Sequence, residues 1–202
     1  VWIHLFEPHY PYEPAAPFDA RFKASPYDGE IATADRELKR LLDAYPPGPS
    51  RLIVVTSDHG EGLGDHGEAE HHLFVYDSTL RVPLILAGGG LPRGGRVKGQ
   101  FRSIDLMPTV LDLAGLKSPS VTGLSRAQSL KTGAVIPDNQ SYAESLYGSI
   151  HFGYAPVRAL RAGGFKYIDT PKAELYRVAS DPVEATNLLA ARAPLAAAMQ
   201  KQ

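Results

Sequence analysis

Between Thr56 and His72 the chain sets acids and imidazoles on a glycine-rich frame: Thr56-Ser57-Asp58-His59-Gly60-Glu61, Gly62-Leu63-Gly64-Asp65-His66-Gly67-Glu68, then Glu70, His71 and His72. Four histidines and five acids fall within 15 residues, positions 58–72. A solvated face has no use for so many imidazoles, so chemistry is expected here. Asp58 and His59 can address one divalent cation if the backbone turns sharply after them, and Gly60 permits such a turn. Asp-His-Gly alone fits equally well a strand-end turn in which Asp58 caps the next segment. The histidines that follow favour the metal reading. Six of the seven histidines (His4, His9, His59, His66, His71 and His72) lie in the first 72 residues, and only His151 lies beyond.

These residues need elements to hold them. Val1 to Phe6 reads as a buried strand, so the chain is expected to begin in mid-fold. The proline-rich stretch from Glu7 to Pro26 cannot be a regular helix and is expected to be an ordered loop. From Gly29 to Tyr45, Ile31, Ala34, Leu38, Leu41 and Leu42 recur at helical spacing, with charged residues between them, which predicts an amphipathic helix. Pro46, Pro47 and Gly48 end it, and Arg51 to Thr56 is a β-branched run typical of a strand buried on both faces. Strand, helix and strand in this order suggest a parallel sheet, and the Asp58-His59 pair then sits at a strand's C-terminal edge, where open α/β sheets place ligands. Val82 to Ala87 reads as a further strand closed by Gly88 to Gly90. Leu106 to Ala114 reads as a helix with Asp105 as N-cap, Pro108 in its first turn and Gly115 as its stop.

Beyond a loop-rich stretch from Lys117 to Gln140 the pattern changes. Ser141 to Leu146, Val157 to Ala162, Phe165 to Asp169 and Glu174 to Val178 look like short strands, with Gly163-Gly164 as a hairpin turn. They suggest an antiparallel sheet, closed by a helix within Ala190 to Gln202. The expected domains are therefore 1–116, part of an α/β core, and 117–202, a loop and a small α+β subdomain.

Composition narrows the functional classes. At 202 residues with 21 basic and 22 acidic side chains, the chain carries no electrostatic footprint for nucleic acid. No run of apolar residues is long enough to span a bilayer, so no membrane segment is expected. Zero cysteines exclude disulfides and thiolate metal sites. The cellular compartment and the oligomeric state are left open, an extracytoplasmic or membrane-associated full-length protein included.

Several spaced motifs together carry a resemblance. Thr56 to Glu61, Gly64-Asp65-His66-Gly67 and Leu80-Arg81-Val82-Pro83-Leu84-Ile85 resemble the second half of the sulfatase family, within the alkaline phosphatase superfamily. Upstream, Pro8-His9-Tyr10-Pro11 resembles the family's Pro-His-x-Pro segment. Downstream, Asp105-Leu106-Met107-Pro108-Thr109 resembles its helix after the core sheet, and Phe165-Lys166-Tyr167-Ile168, Glu174-Leu175-Tyr176 and Asp181-Pro182-Val183-Glu184 resemble its C-terminal subdomain. The fold class this implies is α/β: part of a mainly parallel, alkaline-phosphatase-like sheet flanked by helices, plus a small C-terminal antiparallel sheet with a helix.

The resemblance also implies roles. Asp58 and His59 are similar to the metal ligands of this half of the site, His9 to the histidine that contacts the ester group, and His71 to a residue placed against the sulfate or phosphate oxygens. His72 adjoins it and spacing does not choose between the two; His66 is an outer-layer candidate, and His4 is expected to be a packed core histidine. The implied cofactor is a divalent metal, calcium foremost and manganese as the alternative. The formylglycine nucleophile of the family is expected in an N-terminal part, because this chain contains neither a cysteine nor a serine followed by the Pro-Ser-Arg continuation. The implied activity is hydrolysis of sulfate esters by the intact enzyme on a small or polymeric sulfated substrate, with this chain alone inactive. Alternatives are a phosphoester or phosphonoester hydrolase or transferase acting on a phosphorylated substrate, and a non-catalytic metal-binding module.

Overall fold

Residues 1–202 are described by a computed structural model, and the chain forms two compact units, Val1–Gly48 and Pro49–Gln202. Residues on both sides of position 116 lie in the second unit.

The first unit is a loop held on a helix. The expected strand Val1 to Phe6 does not form: these residues pair with no strand, and Trp2 and Phe6 are exposed. His4 is exposed with them, which corrects its expected place in a core. A strand exists only through its hydrogen-bonding partner, and apolar composition does not supply one. Helices α1 (Phe18–Arg21) and α2 (Pro26–Ala44) follow, Pro26 occupying the start of α2, where its missing N–H costs nothing. The buried face of α2 is Gly29, Glu30 and Thr33, whereas Ile31 of the expected apolar stripe is exposed and Leu38, Leu41 and Leu42 are only half-buried. That face is polar because a loop covers it: the Glu30 carboxylate accepts the backbone N–H of His9 at 2.9 Å and that of Glu13 at 2.7 Å. Arg36 adds a bond to the Ala16 carbonyl at 2.9 Å. Gly29 has no room for a side chain, since a Cβ would lie 2.8 Å from Pro14.

In the second unit β1 (Leu52–Thr56) and β2 (Leu84–Gly88) form an antiparallel pair, with Thr56 opposite Leu84. The α/β class stands, but the parallel arrangement expected of these strands is not part of this chain: β1 takes its one partner from β2, which returns beside it. Between them lie the histidine-rich loop and the short helix α3 (Asp77–Leu80). Helix α4 (Leu106–Leu113) ends at Gly115, which has φ +71°. Asp105 does not cap α4 with its side chain, against expectation; its fully buried carboxylate is gripped by Arg102, Arg126 and the Leu124 amide instead. Within the stretch read as loop, Ala127–Thr132 forms α5.

The C-terminal strands β3 (Ser141–Ser145), β4 (Val157–Ala162), β5 (Phe165–Asp169) and β6 (Glu174–Tyr176) form an antiparallel meander in that order. Gly163 and Gly164, with φ +59° and +75°, make the two-residue turn. Helix α6 (Tyr147–Phe152) links β3 to β4, and α7 (Ala193–Gln200) closes the chain. Alternation along β5 and β6 divides the sheet into two faces. Tyr167 and Leu175 pack with Ala196 and Met199 of α7, while Ile168 and Tyr176 pack with Val75, Ala159 and Val178 on the other face. The segment next to the histidine loop is thereby seated on the C-terminal sheet.

Candidate active site

Strand β1 delivers Asp58 and His59 two and three residues past its end. Ser57 pins the turn by donating its hydroxyl to the His59 carbonyl at 2.6 Å. Gly60 is required, for a reason other than the one expected: it does not adopt a positive φ, but a Cβ would fall 2.1 Å from the Ser78 carbonyl oxygen. Its N–H bonds the Thr79 carbonyl at 2.7 Å, and Gly62 bonds Glu70 at 2.7 Å where a Cβ would also collide. The glycines let two backbones touch.

Asp58 Oδ2 and His59 Nε2 lie 3.8 Å apart, and both side chains are open to solvent. The His59 Nδ1 sits 2.8 Å from the Gly60 carbonyl, which can only accept, so Nδ1 carries a proton and Nε2 is the ring nitrogen left to face a ligand. Partial burial opposes ionisation of Asp58, but backbone donation and the adjacent His59 outweigh it and hold its carboxyl below the ordinary value. One carboxylate and one imidazole with this separation fit part of a divalent-cation shell. No three His, Asp or Glu side chains converge anywhere in the chain to complete one.

His71 stacks on His59 with ring centroids 3.8 Å apart, and its Nδ1 lies 2.9 Å from Glu61 Oε1, a carboxylate almost fully buried. A buried carboxylate on one ring nitrogen sets the tautomer and angle of the ring. His72 stacks on His71 with ring centroids 4.6 Å apart. The backbone of His72 is positioned by Glu68, whose buried carboxylate accepts the N–H of His72 at 2.8 Å and of Leu73 at 2.6 Å. His66 lies elsewhere: its ring stacks on Tyr76 at 3.6 Å and its Nε2 donates to the Val183 carbonyl at 3.1 Å. Thus Asp58, His59, His71 and His72 are brought together, and His66 faces the C-terminal sheet. In the first unit, His9 Nδ1 donates to the Tyr10 carbonyl at 2.7 Å, and the ring stacks on Phe6.

The sequence reading passed over the acids that do the positioning. Glu61 and Glu68 were visible only as members of an acidic run, and nothing in their spacing marks a partner ten residues on or three consecutive amides. Also missed was the buried group behind Tyr76. Lys166 Nζ reaches Asp77 at 3.1 Å and Glu184 at 2.8 Å, Arg161 reaches Asp77 at 2.8 Å, and Lys166 and Glu184 are each 1% exposed. Burial pushes the Glu184 carboxyl up against the pull of Lys166. Burial, with the Glu174 carboxylate that both hydroxyls contact, raises Tyr76 and Tyr176 far above the ordinary phenol. A lysine in the middle of a strand reads as solvent-facing unless its partners are known.

Comparison with known proteins shows what the chain is similar to. It is 29% identical over 161 residues to a Delta 4,5-hexuronate-2-O-sulfatase of Bacteroides thetaiotaomicron, covering 76% of this chain and 33% of that protein. Its structure matches that of a protein solved in complex with its substrate D-glucosamine-2-N,6-O-disulfate, with TM-score 0.74 and 26% identity, over 89% of this chain and 40% of the other. It also matches a phosphonate monoester hydrolase from Silicibacter pomeroyi, with TM-score 0.67 and 29% identity, over 88% of this chain and 40% of that one. The chain spans about a third of the length of the curated relatives it matches, 30 to 33% for the first three. The Sulfatase family model matches residues 1–116, more than half of the chain and the part that contains every one of the histidines gathered at Asp58, and on that match the chain belongs to the sulfatase family.

Proposed function

We propose that the protein to which these residues belong hydrolyses sulfate esters, and that this chain supplies half of a divalent-cation site and the groups that meet the ester oxygens. The observation that carries the reading is the row Asp58, His59, His71, in which a carboxylate and an oriented imidazole sit beside a second imidazole aligned by buried Glu61. A divalent cation at Asp58 and His59 would offset the negative charge of the sulfate group and of the leaving oxygen. The imidazole in the pair favours manganese or a similar ion over calcium, which prefers an all-oxygen shell.

In this reading Asp58 and His59 are the residues that would hold the cation. His71 presents Nε2 to the ester, because Nδ1 is turned to Glu61. As a nucleophilic oxygen supplied from outside these residues bonds to sulfur and takes over the sulfuryl group, the S–O bond to the alcohol breaks, its electron pair stays with the alcohol oxygen, and a proton from His71 or His9 converts the alkoxide to the alcohol. The His9 role rests on the Pro-His-x-Pro resemblance. The Glu30 bonds that fix the backbone of residues 9–13 give it a rigid base. The substrate is a small or polymeric sulfated compound. Phosphonate ester hydrolysis is the second reading, favoured by the likeness to the Silicibacter pomeroyi hydrolase.

The test uses the full-length protein with 4-nitrophenyl sulfate and phenylphosphonate esters. The expected outcome is a clear preference for the sulfate, lost by about 10²-fold or more in kcat with Asp58→Ala. Residues 1–202 alone, which hold neither nucleophile segment, are expected to turn over neither ester. A preference for the phosphonate would favour the second reading, and Asp58-dependent turnover by residues 1–202 alone would show that the nucleophile lies within them.

A further inference from the structure

The loop between β1 and α3 closes on itself as a set of nested pairs. Glu61 Oε1 meets His71 Nδ1 at 2.9 Å, the Gly62 N–H bonds the Glu70 carbonyl at 2.7 Å, and the Gly64 N–H bonds the Glu68 carbonyl at 2.7 Å. Each pair lies further in than the last, and the residue at the centre is His66. The two arms touch because Gly62 carries no side chain: a Cβ there would lie 2.5 Å from the Glu68 carbonyl oxygen and 2.7 Å from that of Glu70. Arms bonded and packed in this way do not move independently, so a displacement of the tip is carried to Glu61 and His71.

The tip is held from outside by its own side chain. His66 has φ +49°, a left-handed conformation that glycine adopts freely and a side chain resists, and the neighbouring positions with positive φ, Gly64 at +93° and Gly67 at +82°, are glycines. A histidine kept in that region points to a need for its ring. The ring lies flat on Tyr76, with centroids 3.6 Å apart and planes 7° from parallel, and its Nε2 donates to the Val183 carbonyl at 3.1 Å. The residue after Val183 is Glu184, with φ +53°. Only Leu63, His66 and Glu184 among the non-glycine residues have positive φ, and two of the three lie at this contact. Glu184 is fixed in turn: its Oε2 accepts the Asp77 N–H at 2.5 Å, and its Oε1 lies 2.8 Å from Lys166 Nζ. Val183-Glu184 and Tyr76-Asp77 thus form one seat for the His66 ring.

We propose that His66 is a positioning residue for the reaction: its hold on Tyr76 and Val183 docks the loop tip on the C-terminal subdomain and so sets the contact of Glu61 with His71. The consequence for catalysis rests on the sulfate-ester reading, to which this adds a role for the C-terminal subdomain, the alignment of His71 through the loop.

The test is a double-mutant cycle in the full-length enzyme with 4-nitrophenyl sulfate. His66→Gly supplies the residue best suited to the left-handed backbone and removes the ring, so a role in backbone conformation alone predicts an unchanged kcat. The expected result is a fall in kcat of about 10-fold or more with KM little changed, as a small misplacement of a catalytic group gives. His66→Asn, which also tolerates this φ and lacks the ring, is expected to behave the same way. In a His71→Ala background either substitution is expected to cost less than about 2-fold, because the group it aligns is gone. A wild-type kcat in either variant would overturn the proposal, and so would an equal fold loss with and without His71, which is what partial unfolding gives. If the wild-type enzyme cleaves no sulfate ester, the functional reading fails instead, and NMR of the histidine ring nitrogens in isotope-labelled full-length protein judges the alignment alone. His71 signals moved by His66→Gly toward their positions in Glu61→Gln support it, and unmoved signals overturn it.

Discussion

At Glu61 a single carboxylate decides what His71 can do. It is almost fully buried, accepts from Nδ1 at 2.9 Å, and leaves Nε2 as the nitrogen directed at a ligand in the proposed mechanism. Glu61→Gln keeps the size and removes the charge, and because the amide can turn either its oxygen or its NH2 to the ring, the tautomer is no longer fixed by an acceptor-only partner. Removal of such a supporting partner typically lowers activity by about 10 to 100-fold. In the full-length enzyme the loss is expected in kcat with KM nearly constant, and Glu61→Asp should recover part of it. A Glu61→Gln enzyme with wild-type kcat would mean that His71 needs no aligning partner. Glu30 shows the same logic in the other unit, where one carboxylate holds two backbone amides of the His9 loop.

Among the elements, α4 depends on a side chain that works differently from a cap. Asp105 is fully buried, with the guanidinium of Arg102 on both its oxygens and that of Arg126 at 2.9 Å. It thereby joins the start of α4 to the loop before α5. Burial alone would raise its pKa, but the bonds from Arg102, the Leu124 amide and Arg126 prevail, and the carboxyl is held below the ordinary value of 3.8. A lowered folded pKa means that the ionised form stabilises the fold above the unfolded value, and that this contribution is lost as pH falls through the folded one. Asp105→Asn strands two buried guanidinium groups and is expected to cost about 3–5 kcal/mol at neutral pH. In urea unfolding the gap between wild type and variant should stay constant above the ordinary carboxylate range and narrow below it. A gap independent of pH down to strong acid would refute the assignment of the stabilisation to the ionised carboxylate.

Across the whole second unit, the histidine loop and the C-terminal sheet are joined by charge as well as by apolar packing. Val75 and Tyr76 pack against Ile168 and Tyr176, and immediately beside them Lys166 bridges Asp77 and Glu184 out of water. Lys166→Met leaves two buried carboxylates with only Arg161 for compensation, and the expected loss is about 3–5 kcal/mol in denaturant unfolding. The sign with pH is opposite to that of Asp105. Glu184 already has a raised pKa from burial, and without Lys166 it is driven further toward its neutral form. The stability this gives is present at low pH and is lost as pH rises through the folded value, so Lys166→Met should be least damaging in acid. The double variant Lys166→Met with Glu184→Gln should recover much of the loss at neutral pH. Its failure to do so would place the cost of Lys166→Met in packing.

Several of these features were legible from the residues alone. The helix expected over residues 29–45 and found over 26–44, the strands β1 and β2, the Gly163-Gly164 hairpin and the four strands of the C-terminal sheet follow from periodicity and turn chemistry, which are local properties of the chain. So does the crowding of acids and histidines around Asp58 and His59, because it is a property of one short loop. What the amino-acid order could not convey is who meets whom. Val1 to Phe6 has strand composition but no partner, β1 pairs with β2 in antiparallel register, and Gly60 is needed for a contact with Ser78 that lies 18 residues on. Lys166 and Glu184 are polar in sequence and buried in space, and Tyr147 comes beside His72 only when β3 is paired and α6 is seated. Composition and spacing act over a few residues, whereas ion pairing, ring stacking and strand pairing act over a few ångströms between segments that only the tertiary fold makes neighbours.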